Sequence, residues 1–309
     1  MVDIVVLGGC IVDLISYASR FPRPGETMAG KGFLKGCGGK GANQAVMANK
    51  LGAKTGLIAK LGDDSFGKEY FECLKETGIH PEFVTFSKNS QTSTAAITVT
   101  DEGLNNIVYV PGAIWDLTPN DVLNAEEIIK NSKVLLCTYE CPLDSLFTAL
   151  NIARKYNVKT VVNAAPANDQ TYEKLYPLSD IICVNEVEAE EATGLPLKKI
   201  EDAGDVMTAL LKKNCSTVIL TLGSQGALYQ SQNEKTYTHV SARKVQAIDS
   251  TGAGDAFMGT LVYFLAYHND KSLHEIIKKA CEIATLSVLK NGTQSSFPEK
   301  EDLPSEFFD

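Results

Sequence analysis

Asp249-Ser250-Thr251-Gly252-Ala253-Gly254-Asp255 lies between a strand-like segment, Val245 to Ile248, and an apolar run beginning Ala256-Phe257-Met258. Small residues at a strand-to-helix turn leave backbone N–H groups uncovered, and the following helix adds its positive dipole end, a combination that binds phosphate. Asp255 falls in the first helical turn. From there a carboxylate can take the proton of a hydroxyl that attacks phosphorus. The same residues have a plainer use, in which Thr251 or Asp255 caps a helix after a glycine turn.

A second glycine cluster runs Gly36-Cys37-Gly38-Gly39-Lys40-Gly41-Ala42-Asn43-Gln44-Ala45. Gly36, Gly38 and Gly41 satisfy the dinucleotide fingerprint, with Asp63 about twenty residues further on, so an NAD(P)-dependent oxidoreductase stands as a rival from another class. That fingerprint needs a buried strand feeding its turn, and Lys31-Gly32-Phe33-Leu34-Lys35 is a poor one. Lys40 and Asn43 suit polar contact with a hydroxylated ligand that glycine backbone lets come close. Asp13, Glu140 and Asp255 are carboxylates near predicted strand ends, placed to converge on sugar hydroxyls, although each alone reads as an ordinary surface acid or cap. Asn185-Glu186-Val187-Glu188 offers an amide and a carboxylate one turn apart, able to orient phosphate oxygens and hydrated magnesium. An N-terminal helix cap explains that pair equally well.

These residues must be positioned by a scaffold. Short apolar runs of the kind buried in a parallel sheet occur at Val2 to Leu7, Thr55 to Leu61, Lys133 to Cys137, Lys159 to Asn163, Asp180 to Val184 and Thr217 to Leu222. Helix-patterned segments separate them, at Ala42 to Leu51, Phe66 to Thr77, Leu146 to Tyr156 and Ala203 to Lys213. The alternation predicts a three-layer, mostly parallel α/β sheet flanked by helices, with ligands outside the carboxyl ends of its strands. Residues 11–36 and 92–110 break the alternation and read as strands of a small β-sheet lid projecting over the ligand face.

The chain has 309 residues and a net charge of -9, which argues against a nucleic-acid partner or an anionic membrane surface, since both need clustered Lys and Arg. The eight cysteines form no Cys-x-x-Cys pair, and the four histidines form no cluster, which disfavours a thiolate or imidazole metal site and a Ser-His-Asp triad. Neither a signal-like N-terminus nor a membrane-length apolar stretch is evident, so a cytoplasmic protein is expected.

Taken in order, the Gly38 to Ala45 run, Asn185-x-x-Glu188 and the Asp249 to Asp255 run resemble the signatures of the PfkB carbohydrate kinase family, in its ribokinase branch, from Val5 to about Pro298. The resemblance implies one kinase domain over 1–309 and ATP-dependent phosphorylation of D-ribose at O5, with Asp255 as base and Gly252, Ala253 and Gly254 as anion hole. It implies that Ile11, Asp13, Gly39, Lys40, Asn43 and Glu140 hold the sugar. Asn185, Thr221, Gly223, Ser224, Gly226, Gly254 and Cys281 would line ATP, and Glu188 would act on Mg2+ through water. An activating K+ would sit among Asp249, Thr251, Ser287, Lys290, Gly292 and Ser296, several through backbone carbonyls. The lid would double as a homodimer interface. Ile11, Ile114, Ala164 and Cys281 depart from the usual residues, which keeps 2-deoxyribose, another pentose or a nucleoside open as substrate; a silent sugar-binding protein is the alternative from another class, at odds with an intact Asp255 and anion-hole glycines.

Overall fold

The computed structural model describes residues 2–167 and 172–308. Its strands, in chain order, are β1 (Ile4–Leu7), β2 (Ile11–Ala18), β3 (Gly32–Gly38), β4 (Thr55–Gly62), β5 (His80–Ser87), β6 (Thr94–Thr100), β7 (Asn105–Val110), β8 (Val134–Thr138), β9 (Lys159–Asn163), β10 (Ile181–Val184), β11 (Thr217–Thr221), β12 (Ala227–Ser231) and β13 (Thr238–Val240). Nine of them form one sheet in the order β13-β12-β11-β10-β9-β8-β1-β4-β5, parallel from β11 to β5 and antiparallel at the β12 and β13 edge. The chain runs outward from β1 in one direction through β4 and β5, and in the other through β8 to β11. The order therefore reverses between β1 and β8, and a crevice at such a point is where open α/β sheets bind ligands.

Strand β1 shows why continuous apolar runs mark this sheet. Ile4 and Val6 point into one core, Val5 and Leu7 into the other, and all four are fully buried. A parallel strand covered on both faces needs apolar residues at every position. The first core is closed by the helices Lys40–Lys50, Ser65–Glu76, Ala253–Tyr267 and Leu273–Ser287, and the second by Leu143–Lys155, Glu186–Thr193 and Ala203–Leu211. The result is the three-layer arrangement expected from the sequence.

One local expectation fails and two strands were not foreseen. Val245 to Ile248 belongs to no strand and pairs in no sheet, with Ile248 63% exposed; the end of the segment is tied to the body where Ile248 N–H and Asp249 N–H donate to Val288 O. Strands β12 and β13 went unseen because they are a polar-interrupted edge pair without a continuous apolar run. Ile114, one of the departures from the family's usual residues, is fully buried in the second core, and its volume serves packing.

A separate four-stranded sheet has the order β3-β2-β6-β7. Asp13 pairs with Gly36 and Ala95, and Ala95 with Tyr109, so these four share one face. Two residues along, Ile15, Leu34, Ile97 and Ile107 form a parallel row on that face. Among the described residues no helix is long and apolar enough to cross a membrane.

Candidate active site

Gly8 and Gly9 follow β1, and Glu140 follows β8, so the crevice is walled by a glycine pair and a carboxylate. Glu140 Oε2 accepts from Gly9 N at 3.1 Å and Gly41 N at 3.2 Å, and its Oε1 accepts from Lys40 N at 3.1 Å. Buried to 5% exposure, this carboxylate replaces the missing cap of the helix Lys40–Lys50, whose N-cap Gly39 donates no side chain. The two glycine loops touch backbone to backbone. A Cβ on Gly41 would lie 2.4 Å from Gly8 Cα, and Gly39 holds φ +95, a conformation that glycine alone adopts freely. Burial raises the Glu140 pKa, opposed by the Lys40 charge and by the backbone donors.

Asp255 lies in the first turn of the helix Ala253–Tyr267, 7% exposed. Its Oδ2 accepts from Asn43 Nδ2 and its Oδ1 from Gln44 Nε2, each at 2.9 Å. These amides reach it because the helices cross closely at Gly259, where a Cβ would sit 2.5 Å from Met47 Cβ. The helix start itself is open. Gly252 is its N-cap at φ +79 with no side-chain cap bond, and a Cβ built on Gly254 would meet nothing within 4 Å. Uncovered N–H groups, a dipole end and a carboxylate thus share one small space.

Asp13 faces the same space from the small sheet. Burial, then the charges of Glu140 and Asp255, push its pKa up to about 6. Lys40 sits among the acids: burial pulls its pKa down, but Asp255, Glu140 and Glu188 together hold it above the usual value. Glu188 is raised, chiefly by burial. Asp13, Lys40, Asn43, Glu140, Glu188 and Asp255 are therefore gathered by the fold into one electrostatic unit, with Ile11 buried at its edge in β2.

Asn185 and Glu188 form a capping box: Asn185 Oδ1 accepts from Glu188 N at 2.9 Å, and Glu188 Oε2 accepts from Asn185 N at 2.8 Å. Thr221 Oγ1 donates to Val184 O at 3.3 Å, joining the β10 and β11 ends beside the turn Gly223, Ser224, Gly226. Cys281 is only 5% exposed within the first core, so no more than its edge reaches a ligand. Asp249 ties two segments together, accepting from Thr251 N and Gly292 N at 2.9 Å each. Ser287 and Ser296 are buried with hydroxyls bonded to Ala284 O and Thr293 O, and Lys290 and Gly292 share that second segment. Among the described residues no three His, Cys, Asp or Glu side chains cluster as metal ligands.

Gln44 and Gln294 were missed in the sequence. Gln294 Nε2 donates to Asn43 Oδ1 at 2.9 Å. Lone amides carry no spacing signature, although Gln44 does lie inside the second glycine run. The dinucleotide fingerprint fails on its context: Gly36 and Gly38 belong to β3, whose first four residues are exposed and which lies outside the parallel sheet.

The family model described as pfkB family carbohydrate kinase matches residues 1–300. The chain is 44% identical to "Ribokinase" of Mus musculus over 99% of its own length and 94% of the relative's. It is 34% identical to "Deoxyribokinase" of Salmonella typhi, covering 97% and 96%. The solved structure of Arabidopsis thaliana ribokinase complexed with ribose and ATP superposes with a TM-score of 0.89 at 28% identity, covering 97% of both chains. Matched along almost its whole length, the chain belongs to the pfkB family of carbohydrate kinases.

Proposed function

We propose that this protein is an ATP-dependent kinase that transfers the γ-phosphoryl group of ATP to O5 of D-ribose, giving D-ribose 5-phosphate and ADP. The observation that carries this reading is Asp255: a carboxylate held by two amides, in the first turn of a helix whose start is uncapped and open. Asp255 takes the proton of the attacking hydroxyl as the new O–P bond forms and the bond to ADP breaks. The N–H groups of Gly252 and Gly254, together with that of Ala253, which donates to Ser250 O at 3.3 Å and would turn to the phosphate, receive the charge that spreads over the phosphoryl oxygens. Asp13, Lys40, Asn43 and the Gly39 backbone hold the sugar against Ile11, while Glu140 acts first by bracing the glycine loops. The ATP side is formed by Asn185, Thr221, Gly223, Ser224, Gly226 and the edge of Cys281. The similarity to ribokinases of mouse and Arabidopsis supports the substrate assignment.

Two ions fit the donor sets. Glu188 has one carboxylate oxygen free of the capping box, which suits Mg2+ held through water, and such an ion neutralises charge between the phosphates. K+ suits the backbone carbonyls of 249–251 and 287–296, two segments already bound together through Asp249 and Val288. An ion there would fix the neighbouring anion-hole backbone, which these two segments support. Residues 11–36 and 92–110 form a lid over the sugar within one kinase domain, 1–309. The row Ile15, Leu34, Ile97 and Ile107 extends the lid's inner face as a homodimer surface, with Leu34 and Ile107 49% and 55% exposed. All eight cysteines are free thiols, which suits the reducing cytoplasm.

The test is phosphorylation of a panel of pentoses and nucleosides with ATP and magnesium, in matched potassium and sodium buffers. Ribose should give the highest kcat/KM, with turnover higher in potassium. A preference for 2-deoxyribose or a nucleoside overturns the ribose assignment, and equal rates in both buffers overturn the cation site.

A further inference from the structure

Gln44 is completely buried, donates Nε2 to Asp255 Oδ1, and leaves its Oε1 without a hydrogen-bond partner among the described residues. An unpaired buried acceptor destabilises a fold, and an apolar side chain of the same shape would avoid it. Folding alone therefore does not account for an amide here. Asn43 is constrained from both ends: Gln294 occupies its Oδ1, and its Nδ2 donates to Asp255 Oδ2. Turning that amide over would set Oδ1 against the Asp255 carboxylate and one NH2 against another. Its second N–H is then the group left for a substrate hydroxyl.

We propose that Gln44 and Gln294 are positioning residues, forming with Asn43 an amide clamp that fixes the orientation of the Asp255 carboxylate and makes Asn43 a hydrogen-bond donor toward the sugar. Gln44 holds one oxygen, so the carboxylate cannot rotate about its bond to the chain. Gln294 holds Asn43 from the segment 290–297, so the helix Lys40–Lys50, the helix Ala253–Tyr267 and that segment meet at a single carboxylate. The clamp deepens the kinase reading, on which its kinetic consequence rests. Its geometry is independent of the substrate.

Gln44→Met keeps the shape and removes both the donor and the unpaired acceptor. It should lower kcat about 10- to 100-fold, the order expected from a misplaced reacting group, while KM values for ribose and ATP stay within about threefold. Loss of the bond to the buried Asp255 Oδ1 opposes the gain from removing the unpaired Oε1, so its melting temperature should stay close to the parent's, whereas a merely structural glutamine would lose stability and activity together. Gln294→Glu replaces a donor with an acceptor and should raise the ribose KM about tenfold by disturbing Asn43. Full kcat in Gln44→Met, or a loss of kcat matched by a loss of thermal stability, overturns the proposal. A substrate-free measurement keeps it testable whatever the wild-type protein phosphorylates. In 1H–15N spectra the Asn43 and Gln44 side-chain amide protons should exchange slowly, and Gln294→Met should accelerate exchange at Asn43 while sparing Gln44. Solvent-rate exchange at both amides in the wild-type protein would count against the clamp.

Discussion

Of the three helices whose N-termini lie at the site, two are finished in opposite ways. The helix Glu186–Thr193 closes its own first turn, with Asn185 and Glu188 exchanging reciprocal bonds. The helix Ala253–Tyr267 starts on glycine, has no side-chain cap and faces open space at Gly254. Leaving out a cap costs about 0.5–2 kcal/mol, and the buried body of this helix, from Ala256 to Phe264, compensates by packing. A self-capped start has few free donors and can offer only what remains of its carboxylate. An uncapped one keeps its N–H groups for an incoming anion.

The sharpest way to break this contrast is at the open end. Asp255→Asn removes the base and keeps one acceptor oxygen for Asn43, while Gln44 can turn its unpaired Oε1 to the new NH2, so turnover should fall about 10²- to 10⁴-fold with ATP and ribose binding retained by calorimetry. Near-normal turnover would make the open start a structural curiosity. Next, Gly254→Val fills space that the folded chain leaves empty. Melting temperature should hold or rise, since glycine inside a helix is about 0.5–1 kcal/mol worse than alanine, while turnover drops roughly 10²-fold. A stable variant with full turnover would show that no phosphoryl group enters there.

A smaller effect separates the sugar side from both helix starts. Asp13 titrates at about 6, so its ionised fraction falls roughly tenfold between pH 7 and pH 5, and the ribose KM should rise accordingly. Because the folded value lies above the unfolded one, burial of the ionised acid destabilises the free protein above pH 6, and this penalty fades as pH falls toward 4. Asp13→Asn should therefore melt higher than the parent at pH 7 but not at pH 4. A KM for ribose that is flat in pH would remove Asp13 from the sugar site. The mildest change is Glu188→Gln, which preserves the capping box. Melting should be unaltered while the magnesium requirement rises about tenfold; an unchanged requirement would reduce that helix start to a cap alone.

Legibility in the sequence followed the same physics. Parallel strands buried on both faces leave continuous apolar runs, so β4, β9 and β11 were readable almost to the residue. Val245 to Ile248 is strand-like in composition, though interrupted by Gln246, and has no neighbour to pair with; composition does not report neighbours. Glycine runs and acids at strand ends announce themselves because backbone approach and charge restrict residue choice. Gln44 and Gln294 do not, since what they do is defined only once two helices and a distant segment meet.

Strand β1 sends alternate residues into two different cores. The machinery around Asp255 and Asn43 is built on the first layer, whereas Asn185 and Glu188 stand on the second. On the proposed assignment the sugar, the base and part of the ATP site (Gly254, Cys281) rest on the first layer, while Asn185 and Glu188 reach the phosphates from the second, so the reacting groups are aligned by two layers on opposite faces of one sheet. Slippage of one helical layer over the sheet by a fraction of a residue would detune the chemistry before it melted either core, so loss of activity should precede loss of structure under mechanical or pressure stress.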